Sequence, residues 1–438
     1  MTARFVRWIA EEAGSGFSPI IRSLLDTDFY KLLTLQFIWR HFRDVSVTCL
    51  LYNRSRQISI ADFVTEEELK EQCEHTRSLR FSGEELAWLA GNKFNEVEEI
   101  FDPAFVEWLA DLRLSPYQIL RDGNQWRLSF SGLWAEVTLW EVPAIAILVE
   151  SLTRGICRSM PGSEIEILFA KAEEKLKSKL TRLREVEGLT FAEFGTRRRH
   201  SFSWQHHVIK TLYDEVPGLF TGTSNAYHAM KHGFSVRGTS PHEVPMVLAS
   251  LARHGSLIGK NGLITLKQSQ YESARLWQET YSSIPLMLLP DTWGTSQFLR
   301  DAPYDLTSWS GLRVDSKDPI PAGEEYISWL LSHGCDPAEK LLLFSDSLDV
   351  DNIISIYKHF TGRIGVSFGW GTSLTNDFRN CHLGDPNLFS PPSLVCKVFQ
   401  VNGKPAVKLS DNLNKKLGLE SEIAHYLEVF GRDGLVMT

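Results

Sequence analysis

The chain has 438 residues, with 46 lysines and arginines against 54 aspartates and glutamates, so its formal net charge is −8. Hydrophobic residues make up 43% and charged residues 23%, an ordinary composition for a soluble globular protein. The acidic balance argues against a general nucleic-acid binder, whose affinity would come from clustered lysine and arginine. No segment reaches about 18 uninterrupted apolar residues, so we expect no membrane span. The length suggests two domains, or one large α/β body with an appendage.

The first residues and the cysteines indicate a cytoplasmic protein. Glu11 and Glu12 fall where a signal peptide needs an apolar core, so secretion is not expected. Six cysteines are scattered without a close pair, which fits neither a zinc knuckle nor a small disulfide scaffold. We therefore expect a reduced, cytoplasmic protein, and its size and polar motifs make an enzyme the leading class.

The chain up to about residue 120 is predicted as mixed α and β structure. Residues 45–52 are rich in β-branched side chains and predict a strand. Residues 61–77 are charged and predict a helix, and Ser82 is a good cap for a second helix over 82–89.

Two hairpins are predicted outside the middle of the chain. Residues 126–140 alternate in polarity and are predicted to turn at Ser131–Gly132. Residues 395–409 predict a second hairpin, with Asn402–Gly403 at its turn.

The middle of the chain alternates between helical stretches and short apolar runs. Helices are predicted over 144–159 and 164–185. Each later apolar run stops at a polar cluster: FGTRRR (194–199), GTSN (222–225), GTSPHE (238–243), PDT (290–292), GLRVDS (311–316), FSDS (344–347) and FGWGTS (368–373). This alternation predicts a parallel sheet, and about seven such units favour an irregular, TIM-like α/β barrel. Barrel chemistry lies where strands end, although each cluster alone could be an ordinary turn.

Three adjacent arginines, Arg197, Arg198 and Arg199, precede a helix predicted to begin near Ser201. Cations there oppose the positive end of the helix dipole, which is costly unless an anion or nearby carboxylates balance them. Guanidinium groups are the preferred partners of phosphate and carboxylate oxygens. The residues alone leave an anion site and structural ion pairs equally open, and one arginine is expected to be structural in either case.

Glycine–threonine pairs at three of the clusters could bind a phosphate, because glycine lets the backbone approach and a helix N-terminus favours negative charge. The pairs are Gly222–Thr223, Gly238–Thr239 and Gly371–Thr372. Each pair alone is weak. A Walker motif and a dinucleotide GxGxxG motif are both absent.

His242 follows Gly238–Thr239 at a predicted strand-to-helix turn. A single histidine is more often structural than catalytic, but a neutral imidazole beside a phosphate site can act as a nucleophile. The pair His206–His207 and the residue His232 are predicted on helix surfaces, and the histidines show no metal-ligand spacing.

Arg313 and Asp315 end another predicted strand. At i and i+2 they point to the same face, so they could bind one ligand together or only pair with each other. Asp349 is predicted to cap a helix. Tyr30, near the N-terminus, belongs to an aromatic helix start, and composition alone assigns it no function.

Taken in order, the clusters resemble the nicotinate phosphoribosyltransferase family over nearly the whole chain. The matching motifs are LLDTDFYKL near the start, YNRSR (52–56), EFGTRRR, GTSNAYHAMKHG, GTSPHE, LRVDSKDP, FSDSLD, FGWGTSLTND and GKPAVKLSD. The resemblance implies an enzyme that joins nicotinate to 5-phosphoribosyl 1-diphosphate in NAD salvage, releasing nicotinate mononucleotide and pyrophosphate. It also implies coupling to ATP hydrolysis, a homodimer with shared active sites, and Mg²⁺ that arrives with ATP and the sugar diphosphate rather than in a resident metal site.

The implied fold is the irregular barrel beside an α+β domain that both chain ends form. The expected bounds are 1–140, completed by about 390–438, for the α+β domain and 141–389 for the barrel.

The resemblance also implies roles for individual residues. His242 matches the family's phosphorylated histidine and, with Arg313 and Asp315, is an expected catalytic residue. Tyr30 and Phe194 match the pair that stacks on the pyridine ring, with Tyr30 reaching into the neighbouring subunit's site. Further expected roles are binding of nicotinate by Thr239 and Arg313, of the ribosyl diphosphate by Arg197 and Asp315, and of the 5-phosphate by Gly369, Gly371 and Thr372.

Three alternatives are open, and one residue departs from the family pattern. The first alternative is a phosphoribosyltransferase that prefers nicotinamide, although the Arg313 guanidinium would favour the carboxylate of nicotinate over the amide of nicotinamide. A barrel glycosidase needs two flanking carboxylates, and the candidate acids lie beside arginine instead. A scaffold protein would not explain polar clusters at successive strand ends. Lys317 stands where the family usually has glycine.

Overall fold

The fold is built on two sheets, one antiparallel and one parallel. The computed structural model describes residues 17–94 and 98–437. Glu11 and Glu12, which carry the expectation against a signal peptide, lie outside these ranges. In the part that is described, no helix has both the length and the apolar character needed to cross a membrane. The six cysteines are all unpaired thiols.

Both ends of the chain contribute to the antiparallel sheet. Its order is β15-β14-β1-β5-β4. The strands are β1 (Ser46–Asn53), β4 (Tyr117–Asp122), β5 (Gln125–Leu133), β14 (Leu394–Val401) and β15 (Lys404–Pro405). β1 lies between β5 and the late strand β14, with Leu51 opposite Cys396. The buried side chains of β1 alternate along the strand, as expected when one face of a sheet packs on a core.

The predicted turn at Ser131–Gly132 is wrong. β5 continues through Gly132, which pairs with Val47 of β1, and the hairpin turn lies instead between β4 and β5, where Gly123 has a φ of 63°. Gly132 serves close packing, since a Cβ there would lie 3.1 Å from the Ser115 Cβ. The turn at Asn402–Gly403 is confirmed, with φ values of 48° and 72° that suit a two-residue hairpin.

Helices surround the antiparallel sheet and lead into the parallel one. They are α1 (Phe29–His41), α2 (Glu66–Ser78), α3 (Gly83–Ala90), α4 (Pro103–Leu109), α5 (Trp134–Thr138), α6 (Glu141–Cys157) and α7 (Gly162–Arg184). The predicted cap is confirmed, because the Ser82 side chain accepts a hydrogen bond from the Glu85 N–H. One side of α7 is buried, as its apolar spacing predicts. Two short strands, β2 (Lys93–Phe94) and β3 (Glu98–Glu99), pair nearby.

The parallel sheet has the order β10-β11-β12-β13-β6-β7. Its strands are β6 (Phe191–Glu193), β7 (Phe220–Thr223), β10 (Met287–Leu288), β11 (Gly311–Val314), β12 (Leu341–Phe344) and β13 (Gly365–Trp370). The helices of this region are α8 (Phe202–Glu215), α9 (Ala226–His232), α10 (Glu243–Arg253), α11 (Ser269–Thr280), α12 (Thr295–Arg300), α13 (Pro319–Ser332), α14 (Val350–Phe360) and α15 (Thr372–Thr375). A small hairpin of β8 (Ile258–Gly259) and β9 (Gly262–Leu263) and the late helix α16 (Glu420–Phe430) complete the described elements.

Six of the seven polar clusters follow or end a strand of the parallel sheet. The cluster at 238–243 instead follows Val236, which forms a single parallel bridge with Thr223. A mixed α/β fold with separate parallel and antiparallel sheets is therefore confirmed. Among the described strands, β10 and β7 are the edges of the parallel sheet, so closure into a barrel stays a prediction. The predicted domain bounds at 140 and 390 also stay a prediction.

Candidate active site

A cavity of about 680 Å³ opens where the ends of β6, β11, β12 and β13 face β14 and the segment that follows β15. Parallel strands bring their carboxyl ends to one edge, where ligands usually bind. Seven of the ten predicted site residues line this cavity: Phe194, Arg197, His242, Arg313, Asp315, Gly371 and Thr372.

The other three predicted residues lie directly behind the lining. The Tyr30 hydroxyl donates to Glu141 Oε2 over 3.3 Å, and the Thr239 hydroxyl accepts from Arg313 Nη1 over 3.0 Å. Gly369 lies against Phe194, because a Cβ there would come within 2.3 Å of the Phe194 ring. The structure thus brings all ten predicted residues to one region.

Positive charge predominates around the cavity although the whole chain is acidic. Its lining includes eight lysines and arginines against five aspartates and glutamates, in a chain whose formal net charge is −8. Such an excess inside a concave surface attracts anions. The arrangement suits a ligand with several negative groups.

Glu141, at the start of α6, balances part of this charge. Its carboxylate lies 2.7 Å from Lys31 Nζ, 2.9 Å from Lys397 Nζ and 3.3 Å from Arg197 Nη1. Burial alone would raise the pKa of Glu141, but the three cations outweigh it and lower the pKa well below its usual value. Glu141 therefore stays ionised and holds cations from three separate elements at one wall of the cavity.

The three consecutive arginines separate into different roles. Arg199 is fully buried and pairs with both carboxylate oxygens of Asp26, at 2.6 and 2.8 Å, so it is the structural member. Arg198 donates to the Leu394 carbonyl, and burial with the charge of Arg197 lowers its pKa to about 10. The Arg197 side chain is 31% exposed and faces the cavity, where an anion could reach it.

His242 is held by acids at the start of α10. Its Nε2 lies 2.6 Å from Asp291 Oδ1 and 3.8 Å from Asp315 Oδ2. Burial lowers the pKa of His242 although the nearby Asp291 charge opposes this, so the ring is neutral near pH 7. With its proton on Nε2, facing the carboxylate of Asp291, the ring keeps the lone pair of Nδ1 for a reaction.

Arg313 is oriented by three neighbours at the end of β11. It donates to Thr239, to the Ser345 hydroxyl over 2.8 Å and to Asp315 Oδ1 over 2.7 Å. These bonds use three of its five N–H groups, which leaves two for a ligand. Arg313 therefore pairs with Asp315 and also lines the cavity. The sequence had left these two possibilities as alternatives.

The glycine–threonine pairs differ in position. Gly371–Thr372 lines the cavity, and Gly238–Thr239 contacts Arg313 through Thr239. Gly222–Thr223 is buried away from it, where the Thr223 hydroxyl donates to Glu193 Oε2 over 2.5 Å. Burial raises the pKa of Glu193 to about 7, against the donors around it. This pair organises the end of β7 rather than a phosphate site.

Four residues of the site were missed in the sequence: Glu141, Asp291, Lys397 and Lys408. Lys408 Nζ lies 3.6 Å from Asp291 Oδ2, and the Ser316 hydroxyl donates to the same oxygen over 2.6 Å. Asp291 belongs to the PDT cluster, and Lys408 belongs to the GKPAVKLSD motif, so both had a usable signal. The sequence contains no signal for Glu141 and Lys397, because only the packing of α6 against β14 brings them together.

Two family models match this chain. One is described as the nicotinate phosphoribosyltransferase (NAPRTase) family and matches residues 189–432, and the other is described as the N-terminal domain of the same family and matches residues 25–149. The chain belongs to the nicotinate phosphoribosyltransferase family. Membership confirms the sequence prediction of a phosphoribosyltransferase of NAD salvage.

Solved structures resemble this member of the nicotinate phosphoribosyltransferase family along nearly its whole length. Nicotinate phosphoribosyltransferase from Vibrio cholerae is 28% identical, with a TM-score of 0.80 and coverage of 94% of each chain. The enzyme of that name from Porphyromonas gingivalis is 29% identical, with a TM-score of 0.80 and coverage of 94% of this chain and 100% of its own.

Substitutions of the neighbouring residues Arg197 and Arg199 should differ in their effect on the stability of this family member. Arg199→Met leaves Asp26 buried without its partner and should lower the free energy of unfolding by roughly 3–5 kcal/mol. Arg197→Met should cost less, about 1–2 kcal/mol, because Glu141 keeps Lys31 and Lys397, and Asp28, 3.6 Å from Arg197 Nε, keeps the hydroxyl of Ser224. Urea unfolding followed by tryptophan fluorescence measures both values. Equal losses in the two variants would contradict the assignment of Arg199 as the structural member.

Proposed function

We propose that the chain joins nicotinate to 5-phosphoribosyl 1-diphosphate, forming nicotinate mononucleotide and releasing pyrophosphate. The pyridine nitrogen attacks C1 of the ribose while the bond from C1 to the diphosphate oxygen breaks. The observation that carries this proposal is the convergence of Arg197, His242, Arg313 and Thr372 on one positively charged cavity. Membership of the family supports it.

The reaction needs alignment and charge neutralisation more than acid–base help. Arg197 and Lys397 lie on one wall, where they would neutralise the departing diphosphate. Gly371 and Thr372 lie on the wall formed by the end of β13, where backbone N–H groups would bind the 5-phosphate. Gly369 would assist indirectly, by leaving room for the Phe194 ring.

Mg²⁺ would enter the cavity with ATP and the sugar diphosphate. His242, Asp291 and Asp315 each offer one ligand atom, and these atoms lie within 4.8 Å of one another. The two carboxylates provide the oxygen ligands that Mg²⁺ prefers. When bound, the ion would supply further neutralisation of the phosphates.

Nicotinate would bind with its carboxylate on Arg313 and its ring beside Phe194. The two remaining N–H groups of Arg313 suit a carboxylate, and Thr239 fixes the guanidinium plane. The Tyr30 hydroxyl donates to Glu141 of the same chain, and this bond supports a role for Tyr30 at the cavity of its own subunit. A homodimer in which Tyr30 also serves the partner's cavity is part of the proposal.

Loss of the Arg313 charge should reduce the preference for nicotinate over nicotinamide. Arg313→Gln should raise the KM for nicotinate roughly 10- to 100-fold, the cost of a lost hydrogen bond to a charged group, while changing the KM for nicotinamide little. The readout is the ratio of kcat/KM for the two substrates. Arg54→Gln removes the same charge from an exposed residue of the cavity lining and should leave that ratio unchanged. An unchanged ratio in Arg313→Gln would remove Arg313 from nicotinate recognition.

We also propose that ATP phosphorylates His242. The Nδ1 lone pair of the neutral ring would attack the γ-phosphoryl group, so that an N–P bond forms and the bond to the ADP oxygen breaks. Asp291 keeps the proton on Nε2 and would stabilise the positive ring that results. Transfer of the labile phosphoryl group to water would break the N–P bond, release phosphate and restore the neutral ring, and this would couple ATP hydrolysis to product formation.

Removal of the His242 ring should uncouple ATP from the transfer. In His242→Ala, ATP should no longer stimulate product formation, slow basal transfer should persist, and acid-labile label from γ-labelled ATP should disappear. His359→Ala is the matched control, because His359 of α14 pairs with Glu324 of α13 and does not line the cavity. Normal labelling of His242→Ala would place the phosphoryl group on another residue.

We further infer that the parallel sheet is the wall of an irregular barrel. Val236 bridges to Thr223 beyond β7, and the Ser240 hydroxyl donates to the Met287 carbonyl of β10 over 3.4 Å. The segment between them thus spans the two sheet edges without a regular strand. The antiparallel sheet of both chain ends would form the second domain, with the bounds expected from the sequence.

A further inference from the structure

Three histidines outside the cavity converge between α8 and α9. His206 lies on α8, and His228 and His232 lie on α9. Each offers one ring nitrogen, and the three nitrogens lie within 4.8 Å of one another. The ring centroids of His206 and His232 are 4.5 Å apart, and those of His206 and His228 are 5.5 Å apart. None of the three lines the cavity.

We propose that His206, His228 and His232 bind one divalent transition-metal ion, of which Zn²⁺ is the representative. Three imidazole nitrogens and no thiolate are a donor set suited to zinc, copper, nickel or cobalt. Metal–nitrogen distances of about 2.0–2.1 Å require the rings to close by small side-chain rotations. Water would occupy the remaining position, so the site would be open to solvent on one side.

The ring of His228 is buried and is the strongest indication of a ligand. Its side chain is 1% exposed, and neither ring nitrogen has a hydrogen-bond partner. A buried polar group without a partner is costly, and a bound cation would supply the missing contact. His232 is exposed and His206 is partly exposed, so an ion could reach the buried ring from solvent.

The two helices hold the ligands on a rigid frame. His228 and His232 are four residues apart on α9, which puts them on the same face of the helix. The Asn225 side chain caps this helix by accepting from the His228 N–H over 3.0 Å, and Gly233 ends it with a φ of 68°. Ser201 caps α8 in the same way.

Two of the nearby positive groups are balanced by carboxylates, and a third, Arg22, lies 4.3 Å from the centre of the Phe202 ring. Arg199 is close enough to influence His228, and its charge is neutralised by Asp26. Lys210 influences His232 and pairs with Asp214 over 2.7 Å. These cations therefore oppose a bound metal ion less than isolated charges would. A metal here would join α8 to α9 at a distance from the substrate cavity.

The full-length chain, stripped of metal by a chelator and dialysed, can be titrated with Co²⁺ and followed by its visible absorption bands. We expect one Co²⁺ per chain, displaced by Zn²⁺. His206→Ala and His232→Ala should weaken binding by more than the roughly 10- to 100-fold that loss of an outer partner costs. His206 is partly exposed and His232 is exposed, so both variants should keep the fold, and circular dichroism checks it.

Two control variants test whether other histidines of the chain, rather than these three, bind the metal ion. His207→Ala removes the neighbouring ring of α8, which pairs with Glu173 over 2.6 Å, and should bind Co²⁺ normally. His242→Ala removes the ring that lies with Asp291 and Asp315 in the cavity, where the three could hold a metal ion, and should also keep the absorption bands. No Co²⁺ bands in the full-length chain, equal affinity in His232→Ala, or loss of the bands in His242→Ala would each overturn the proposal.

Discussion

One buried carboxylate, that of Glu141, sets the arrangement of the cavity. It holds Lys31 of α1, Arg197 after β6 and Lys397 of β14, so a single charge links the start of the chain, the parallel sheet and the last sheet strands. Removing the Glu141 carboxylate would take the shared counter-charge from all three cations, which is costly where they are buried. The antiparallel sheet and the parallel sheet are therefore fixed relative to each other at the place where a ligand would bind.

The same network keeps the cavity ready for anions. Glu141 neutralises only part of the charge around it, while Arg198, Arg313 and Lys408 are oriented by carbonyl, hydroxyl and carboxylate oxygens. Groups that are fixed before a ligand binds need no reorganisation when charge develops on it. The acids beside His242 belong to this arrangement, because they hold a neutral ring that could accept a phosphoryl group.

The sequence predicted the parallel part of the site well because each strand of that sheet ends in its own polar cluster. Phe194, Arg313 and Thr372 could therefore be placed at one edge without any knowledge of packing, whereas His242 reaches it from the segment after Val236, which forms only a single bridge to Thr223. Glu141 could not be predicted, since its partners come from elements that only the tertiary structure brings together. The error at Ser131–Gly132 has a similar cause: glycine there serves close packing, and the true turn signal is Gly123, at the start of the same strand pair. The grouping of His206, His228 and His232 was missed, because the three side chains come from two different helices.

The most direct test is a rapid-quench assay of the purified chain with labelled nicotinate, 5-phosphoribosyl 1-diphosphate and Mg²⁺, with product and pyrophosphate counted in the same samples. The account predicts equal amounts of nicotinate mononucleotide and pyrophosphate, and neither product when the sugar diphosphate is left out. A folded chain that forms no mononucleotide from nicotinate, or that uses nicotinamide in its place, would contradict it.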